Sequence, residues 1–208
     1  MEYILDLREL KKTYDCNYNG VLHIGAHGGL EYEDYKLMGL DPIIFVEPQP
    51  NIFERLKQNV GEECICLNLA LGNMIGEVEM FTNENDEHGA SSILEPKKHL
   101  YLYPFIEFTN KIKVPITKVD LLDLPKCNLL NIDVQGYELE VLKGATEYLK
   151  SVEYILIEVN DEEVYTNCAM VADIDSFLED YGFSRVETKM AGGCWGDAFY
   201  IKKNDKDN

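Results

Sequence analysis

Positive charge is what this chain has least of: 19 Lys and Arg stand against 38 Asp and Glu, a formal net charge of -19 at pH 7. A phosphate backbone is held by a basic face, so nucleic acid is excluded as a partner, and an anionic membrane surface with it. Cysteine pairing is missing as well. The six cysteines, at 16, 64, 66, 127, 168 and 194, form no C-x-x-C. They read as reduced thiols, which implies a cytoplasmic-type compartment and no metal site of the cysteine–histidine kind. No apolar run is long enough to cross a bilayer, and no signal peptide is recognisable. Against these absences stands an ordinary globular composition, 208 residues of which 46% are hydrophobic, enough to bury a core without cross-links. One domain, 1–208, is expected.

Apolar runs and helical periodicity alternate along most of the sequence. Residues 2–13 carry a stripe of Ile4, Leu5, Leu7 and Leu10 and read as a helix within an N-terminal extension, 1–20. Strands follow at 21–25, 43–47 and 64–70, separated by helices at 31–40 and 50–60, the second opened by Pro50 in its first turn. Such alternation builds a parallel sheet covered by helices. The rhythm breaks after Gly72: two strands, 77–82 and 112–117, flank a polar loop, 83–110, long enough to be a lid and rich enough in aromatics to be ordered. It resumes with a strand at 129–134, a helix at 137–150, a strand at 154–159 and a helix at 171–181 stopped by Gly182. Gly144 inside the fourth helical run marks close packing or an early helix end. Two closing strands, 184–190 and 197–203, share so short a turn that they must be antiparallel, and 204–208 is a polar tail. The fold expected is α/β: a mostly parallel seven-stranded sheet ending in an antiparallel hairpin, with a β-rich insertion. That arrangement is Rossmann-like in the manner of class I methyltransferases rather than dehydrogenases.

The turn after the first strand, Gly25-Ala-His-Gly-Gly29, and the carboxylate ending the second, Glu47, suit an adenosine-containing cofactor. Glycine lets backbone approach the ligand, and the carboxylate accepts ribose hydroxyls about 20 residues further on. His27 stands where G-x-G-x-x-G has its second glycine, which disfavours a pyrophosphate and with it a nicotinamide oxidoreductase. S-adenosylmethionine, a nucleoside without a pyrophosphate, fits better.

In open α/β sheets ligands sit beyond the carboxyl ends of the strands. Gly25, Glu47, Ala70, Asp133, Glu158 and Asn160 all fall there. Asp133 and Glu158 are the candidates for general base and substrate orienter, with His88 a third, reaching over from the long loop beside Ser91 and Ser92. Asp133, Glu158 and Asn160 would also suit a divalent ion, as a minority alternative. Glu138 is read as complementing a helix dipole, and His99 as a surface residue. Trp195, the single tryptophan, lies among glycines in the closing turn; it stacks on a substrate or packs the hairpin.

The segments His-Ile-Gly-Ala-His (23–27), Val-Glu-Pro-Gln-Pro (46–50), Ala-Leu-Gly (70–72), Ser-Ser (91–92), Asn-Ile-Asp-Val-Gln-Gly-Tyr-Glu (131–138) and Leu-Lys-Gly-Ala (142–145) resemble, in order, those of FkbM-type methyltransferases. The resemblance covers about 21–203 and implies S-adenosylmethionine as cofactor and O-methylation of a hydroxyl on a sugar or other small molecule. By the same resemblance Gly25, Ala26 and Gly29 line the methionine side, Glu47 holds the ribose, Ala70, Leu71 and Ser92 lie near the adenine, and Asp133 stands at the reacting edge. Trp195 and Asn160 are left for the acceptor. One position departs: many members carry an acid where this chain has His23, which would meet the cofactor's amino group. A non-catalytic cofactor-binding or scaffolding module with a degenerate site is the alternative reading.

Overall fold

The computed structural model describes residues 4–83, 89–191 and 194–203. His88 therefore lies outside the described residues. Among them, seven strands form one sheet: β1 (Val21–Ile24), β2 (Ile43–Val46), β3 (Ile65–Leu67), β7 (Leu129–Ile132), β8 (Tyr154–Asn160), β9 (Phe183–Ala191) and β10 (Trp195–Lys202), in the order β3-β2-β1-β7-β8-β10-β9. The first five run parallel; β10 is antiparallel to both β8 and β9. Strands β4 (Ala70–Leu71), β5 (Gly76–Thr82) and β6 (Asn110–Thr117) make a second, small sheet from the expected insertion.

β1, β2 and β7 are buried at every position, and the reason is the helices on both faces. Alternate side chains go to opposite sides. Leu22, Ile24, Ile44, Val46, Leu130 and Ile132 pack with Val141 and Leu142 of α5 (Glu138–Lys143) and with Ile174 and Leu178 of α6 (Val171–Glu179). Val21, Phe45 and Leu129 face the other way, onto α1 (Leu7–Thr13), α2 (Tyr32–Leu37) and α3 (Pro50–Asn59) through Leu10, Tyr35 and Leu56. No helix among the described residues is long and apolar enough to cross a membrane.

Three expected elements are cut short, each by a particular contact. The helix read at 2–13 begins at Leu7, because Asp6 is extended and its carboxylate caps the helix by accepting from the Arg8 N–H at 2.7 Å, while the N–H groups of Ile4 and Leu5 go to the Asp197 carboxylate at 2.8 and 3.1 Å. The strand read at 64–70 stops at Leu67: the Asn68 amide turns back to the carbonyls of Glu47 and Pro48, and Ala70–Leu71 crosses to pair with β6. The helix read at 137–150 ends at Lys143, and Gly144 serves both purposes foreseen for it. It caps the helix, and a Cβ there would lie 2.1 Å from the Gly72 carbonyl oxygen. The 83–110 segment holds a short helix, α4 (His99–Leu102), and isolated bridges from Ser92 to Phe81 and from Pro96 to Tyr165. His99 is buried at 4% exposure, contrary to the surface position expected from its polar neighbours.

Candidate active site

Beyond the carboxyl ends of β1, β2, β7 and β8 lies a cleft lined by His23, Gly25, Ala26, Glu31, Glu47, Ala70, Leu71, Asp133, Gln135, Glu158, Trp195 and Asp197, with Ile4 at its edge. Of the residues anticipated from sequence, Gly29, Ser92 and Asn160 do not line it. Gly29, at φ +70°, gives its missing side chain's place to Leu56, whose Cδ1 would be 2.5 Å from a Cβ. Ser92 is fully buried behind the cleft, its hydroxyl donating to the Gln135 carbonyl at 2.7 Å and accepting from the Leu94 N–H at 3.0 Å. Asn160 is buried, with neither side-chain polar atom partnered among the described residues.

The first turn owes its shape to Gly25. At φ +83° it brings its own N–H and that of Ala26 onto the Val46 carbonyl, and a Cβ would sit 1.7 Å from the Asp133 carbonyl oxygen. Only glycine lets β1 and β7 end side by side here. His27 follows at φ +47°, and its N–H reaches Glu47 Oε2 at 3.0 Å while Glu47 Oε1 accepts from the Gln49 N–H at 2.8 Å. Arg55 donates to His27 Nε2 at 3.0 Å. The histidine in place of a second glycine is thus tied to α3, and its backbone orients the carboxylate.

The cleft has two unlike ends. Pro48, Leu69, Ala70, Leu71, Met80 and Ile93 make one of them apolar. At the other, Asp133, Glu158, Asp197 and Glu31 gather. Asp197 and Glu158 are direct cross-strand partners on β10 and β8. Gln135, at φ +55°, spreads its amide between two of these acids, 2.8 Å from Asp133 Oδ1 and 2.9 Å from Glu158 Oε2. Its Oε1 lies 2.9 Å from the Tyr165 hydroxyl. The turn that carries Gln135 is closed by Glu138, whose Oε1 accepts from the N–H groups of Val134 and Gly136 at 3.1 and 2.9 Å. Glu138 is therefore a buried brace for the turn, more than a dipole partner for α5.

Crowding sets the ionisation. Burial, then the charges of Asp133, Glu138 and Asp197, hold Glu158 well above the usual carboxylate range. Burial raises Asp133 too, against the hydrogen bond from Gln135 that favours its charged form. Burial pushes Glu31 up to about 7 and Asp197 to about 6. His23 is neutral, its pKa lowered to about 3 by burial; its Nδ1 is 3.3 Å from the Tyr35 hydroxyl and 3.8 Å from Glu31 Oε2. Among the described residues no Lys or Arg lines the cleft, and no three His, Cys, Asp or Glu side chains are placed to hold a metal ion.

A second chamber, of about 330 Å³, adjoins the acidic end and shares Gln135, Glu158 and Trp195 with it. The Trp195 indole N–H donates to the Tyr103 hydroxyl at 2.7 Å, so the closing hairpin and the 83–110 segment meet at this wall. Gln135, Glu31 and Asp197 were not singled out from sequence. The Asp-Val-Gln-Gly turn did signal Gln135, whereas Asp197 reads as a strand residue until β10 is laid beside β8.

A sheet of order β3-β2-β1-β7-β8-β10-β9, with a cleft at its carboxyl edge that pairs an acidic end with an apolar one, is the architecture of class I methyltransferases. Residues 23–185 match the methyltransferase FkbM domain, and the chain belongs to that family. Membership carries S-adenosylmethionine as the cofactor. The chain is 26% identical over 157 residues to the 2-O-methyltransferase NoeI of Sinorhizobium fredii, covering 70% of this chain and 65% of that one. It is 28% identical over 117 residues to the hexuronic acid methyltransferase AglP of Haloferax volcanii, covering 55% and 45% respectively. The matches thus span less than two thirds of these relatives' length. The crystal structure of methyltransferase FkbM from Methylobacillus flagellatus superposes with a TM-score of 0.59 at 12% identity, over 88% of this chain and 43% of that one, a likeness of fold.

Proposed function

We propose that this protein transfers a methyl group from S-adenosylmethionine to a hydroxyl of a sugar or a similar small molecule. The observation that carries the reading is the junction of the two cavities, where Asp133, Glu158 and Gln135 stand between the cofactor cleft and the aromatic chamber. The residues present fit the cofactor. Its two cationic groups suit an end crowded with carboxyl groups where, among the described residues, no Lys or Arg lines the cleft, and its adenine suits the apolar end. Glu47 lines the cleft at the end of β2 with its carboxylate oriented by the His27 and Gln49 N–H groups, the position from which a carboxylate accepts ribose hydroxyls. Glu31, beside His23, supplies the acid that the sequence lacks at position 23.

When bound, the cofactor supplies an activated methyl on a sulfonium, so the protein's contribution is placement and proton removal. Gln135 fixes the two carboxyl groups relative to one another through its two amide hydrogens. Asp133 and Glu158 titrate as a pair, both raised by burial. Asp133, directly after β7, is the group that accepts the acceptor's hydroxyl proton, and Glu158 on β8 the one that orients that hydroxyl. Trp195 and the surrounding aromatics keep water from the junction. Isothermal calorimetry with S-adenosylmethionine and S-adenosylhomocysteine, followed by labelled methyl transfer to a library of hydroxyl acceptors, tests the reading. Absence of binding at millimolar concentration would end it.

A further inference from the structure

The second chamber has a character of its own. Its walls are His99, Tyr103, Phe105, Tyr165 and Trp195, completed by small and branched apolar residues. At about 330 Å³ it falls at the lower end of the ~300–1,000 Å³ typical of small-molecule sites, room for one ring rather than an extended chain. Aromatic faces pack well against the C–H face of a pyranose. Polar groups are few and specific. Gln135 and Glu158 stand at the junction, and His99 leaves its Nδ1 buried without a hydrogen-bond partner among the described residues. Burial lowers the His99 pKa to about 4, so at neutral pH the ring is uncharged. Among the described residues no Lys or Arg lines the chamber, and its one acidic group is Glu158.

We propose that this chamber is the acceptor subsite and that it takes an uncharged sugar ring, rejecting a uronic acid. The proposal rests on the methyltransferase reading and narrows it. A pyranose hydroxyl satisfies the orphaned His99 Nδ1 while another is presented to Asp133 and Glu158. A uronate carboxylate in the same place is stripped of water, meets no Lys or Arg among the described residues, and lies near the acidic Glu158. An unpaired buried charge is disfavoured strongly enough to give on the order of 100-fold or more discrimination.

Trp195, the single tryptophan, lies in the wall of both cavities and reports on each. Its fluorescence is followed while the protein is saturated with S-adenosylhomocysteine and then titrated at pH 7 with methyl β-glucopyranoside, methyl β-glucuronide (as the free carboxylate) or phenol. The expected result is a saturable change with the glucoside and binding of the glucuronide weaker by about 100-fold or more. His99→Phe should weaken the glucoside about tenfold by removing its polar partner, with S-adenosylhomocysteine binding as the check that the variant is folded. A glucuronide that binds as well as the glucoside, phenol that binds as tightly as either, or no saturable change with the glucoside overturns the proposal. Failure of S-adenosylhomocysteine itself to bind would refute the underlying reading instead.

Discussion

Replacing Glu47 with Gln probes how the cleft holds its cofactor while leaving volume and shape unchanged. Both oxygens are already engaged, Oε2 by the His27 N–H at 3.0 Å and Oε1 by the Gln49 N–H at 2.8 Å. Glutamine turns one of those oxygens into an NH2 group, so that a donor confronts a buried donor whichever way the amide faces. One charge-assisted hydrogen bond, worth about 1.5–3 kcal/mol, is lost, and the ribose hydroxyl at that end loses its anionic acceptor. The cofactor-free protein should melt about 4–8 °C lower for a loss of about 2 kcal/mol in a chain of this size. Calorimetric affinity for S-adenosylhomocysteine should fall roughly 10–100-fold, equivalent to about 1.4–2.8 kcal/mol. An analogue without the two ribose hydroxyls should bind wild type and variant about equally, which separates ribose recognition from a general disturbance of the turn. A dissociation constant within about twofold of wild type, with an unchanged melting temperature, would refute the role assigned to Glu47.

Gly25→Ala forces a Cβ to within 1.7 Å of the Asp133 carbonyl oxygen at a φ of +83°, so circular dichroism should show loss of the cooperative fold rather than a modest shift in melting. Ser92→Ala removes the hydroxyl that links the Gln135 carbonyl to the Leu94 N–H and should cost about 1–3 kcal/mol in chemical denaturation, since a buried carbonyl and a part-buried N–H lose their partner. The pH dependence of the cofactor-free protein follows from carboxyl groups raised by burial: Glu31 and Glu138 to about 7, and Asp197 to about 6. The folded state holds protons that the unfolded chain releases near its ordinary carboxylate pKa, so this stabilisation is complete at low pH and is lost as pH rises through 6–7. Scanning fluorimetry between pH 5 and 8 should show melting temperature falling toward pH 8; a flat or rising profile would contradict the burial of these acids.

The parallel core was legible because its strands are short apolar runs bounded by Gly25, Glu47 and Asp133, and because the helices between them show plain periodicity. Boundaries were legible only where a residue enforces them locally, as Pro50 does for α3. The run from Cys64 to Ala70 looks like one strand because every residue in it but Asn68 is apolar; the break at Asn68 depends on carbonyls of Glu47 and Pro48, some 20 residues away in sequence. The site divides in the same manner. Gly25, Glu47, Asp133 and Glu158 are strand-end residues and could be read directly. Asp197 needs the Ile4 N–H, 193 positions away, to show what it does. Glu31 acquires meaning only when α2 is folded back over His23, and His99 only when the segment around it is packed against Tyr165. Gly29 and Ser92 were noticed for ligand contact, whereas their immediate partners are Leu56 and the Gln135 carbonyl.

The crowding of acids at one end of the cleft bears on turnover as well as on recognition. Four carboxyl groups, on Glu31, Asp133, Glu158 and Asp197, line this end, and under the proposed function they face a ligand whose charge changes during the reaction. The methyl donor arrives with a sulfonium and leaves as a neutral thioether, one positive charge poorer. Its attraction to this end of the cleft therefore weakens at the moment the methyl is lost, and the spent molecule dissociates more readily than the fresh one. A repulsion that burdens the empty fold would thus favour exchange of the spent donor for a fresh one.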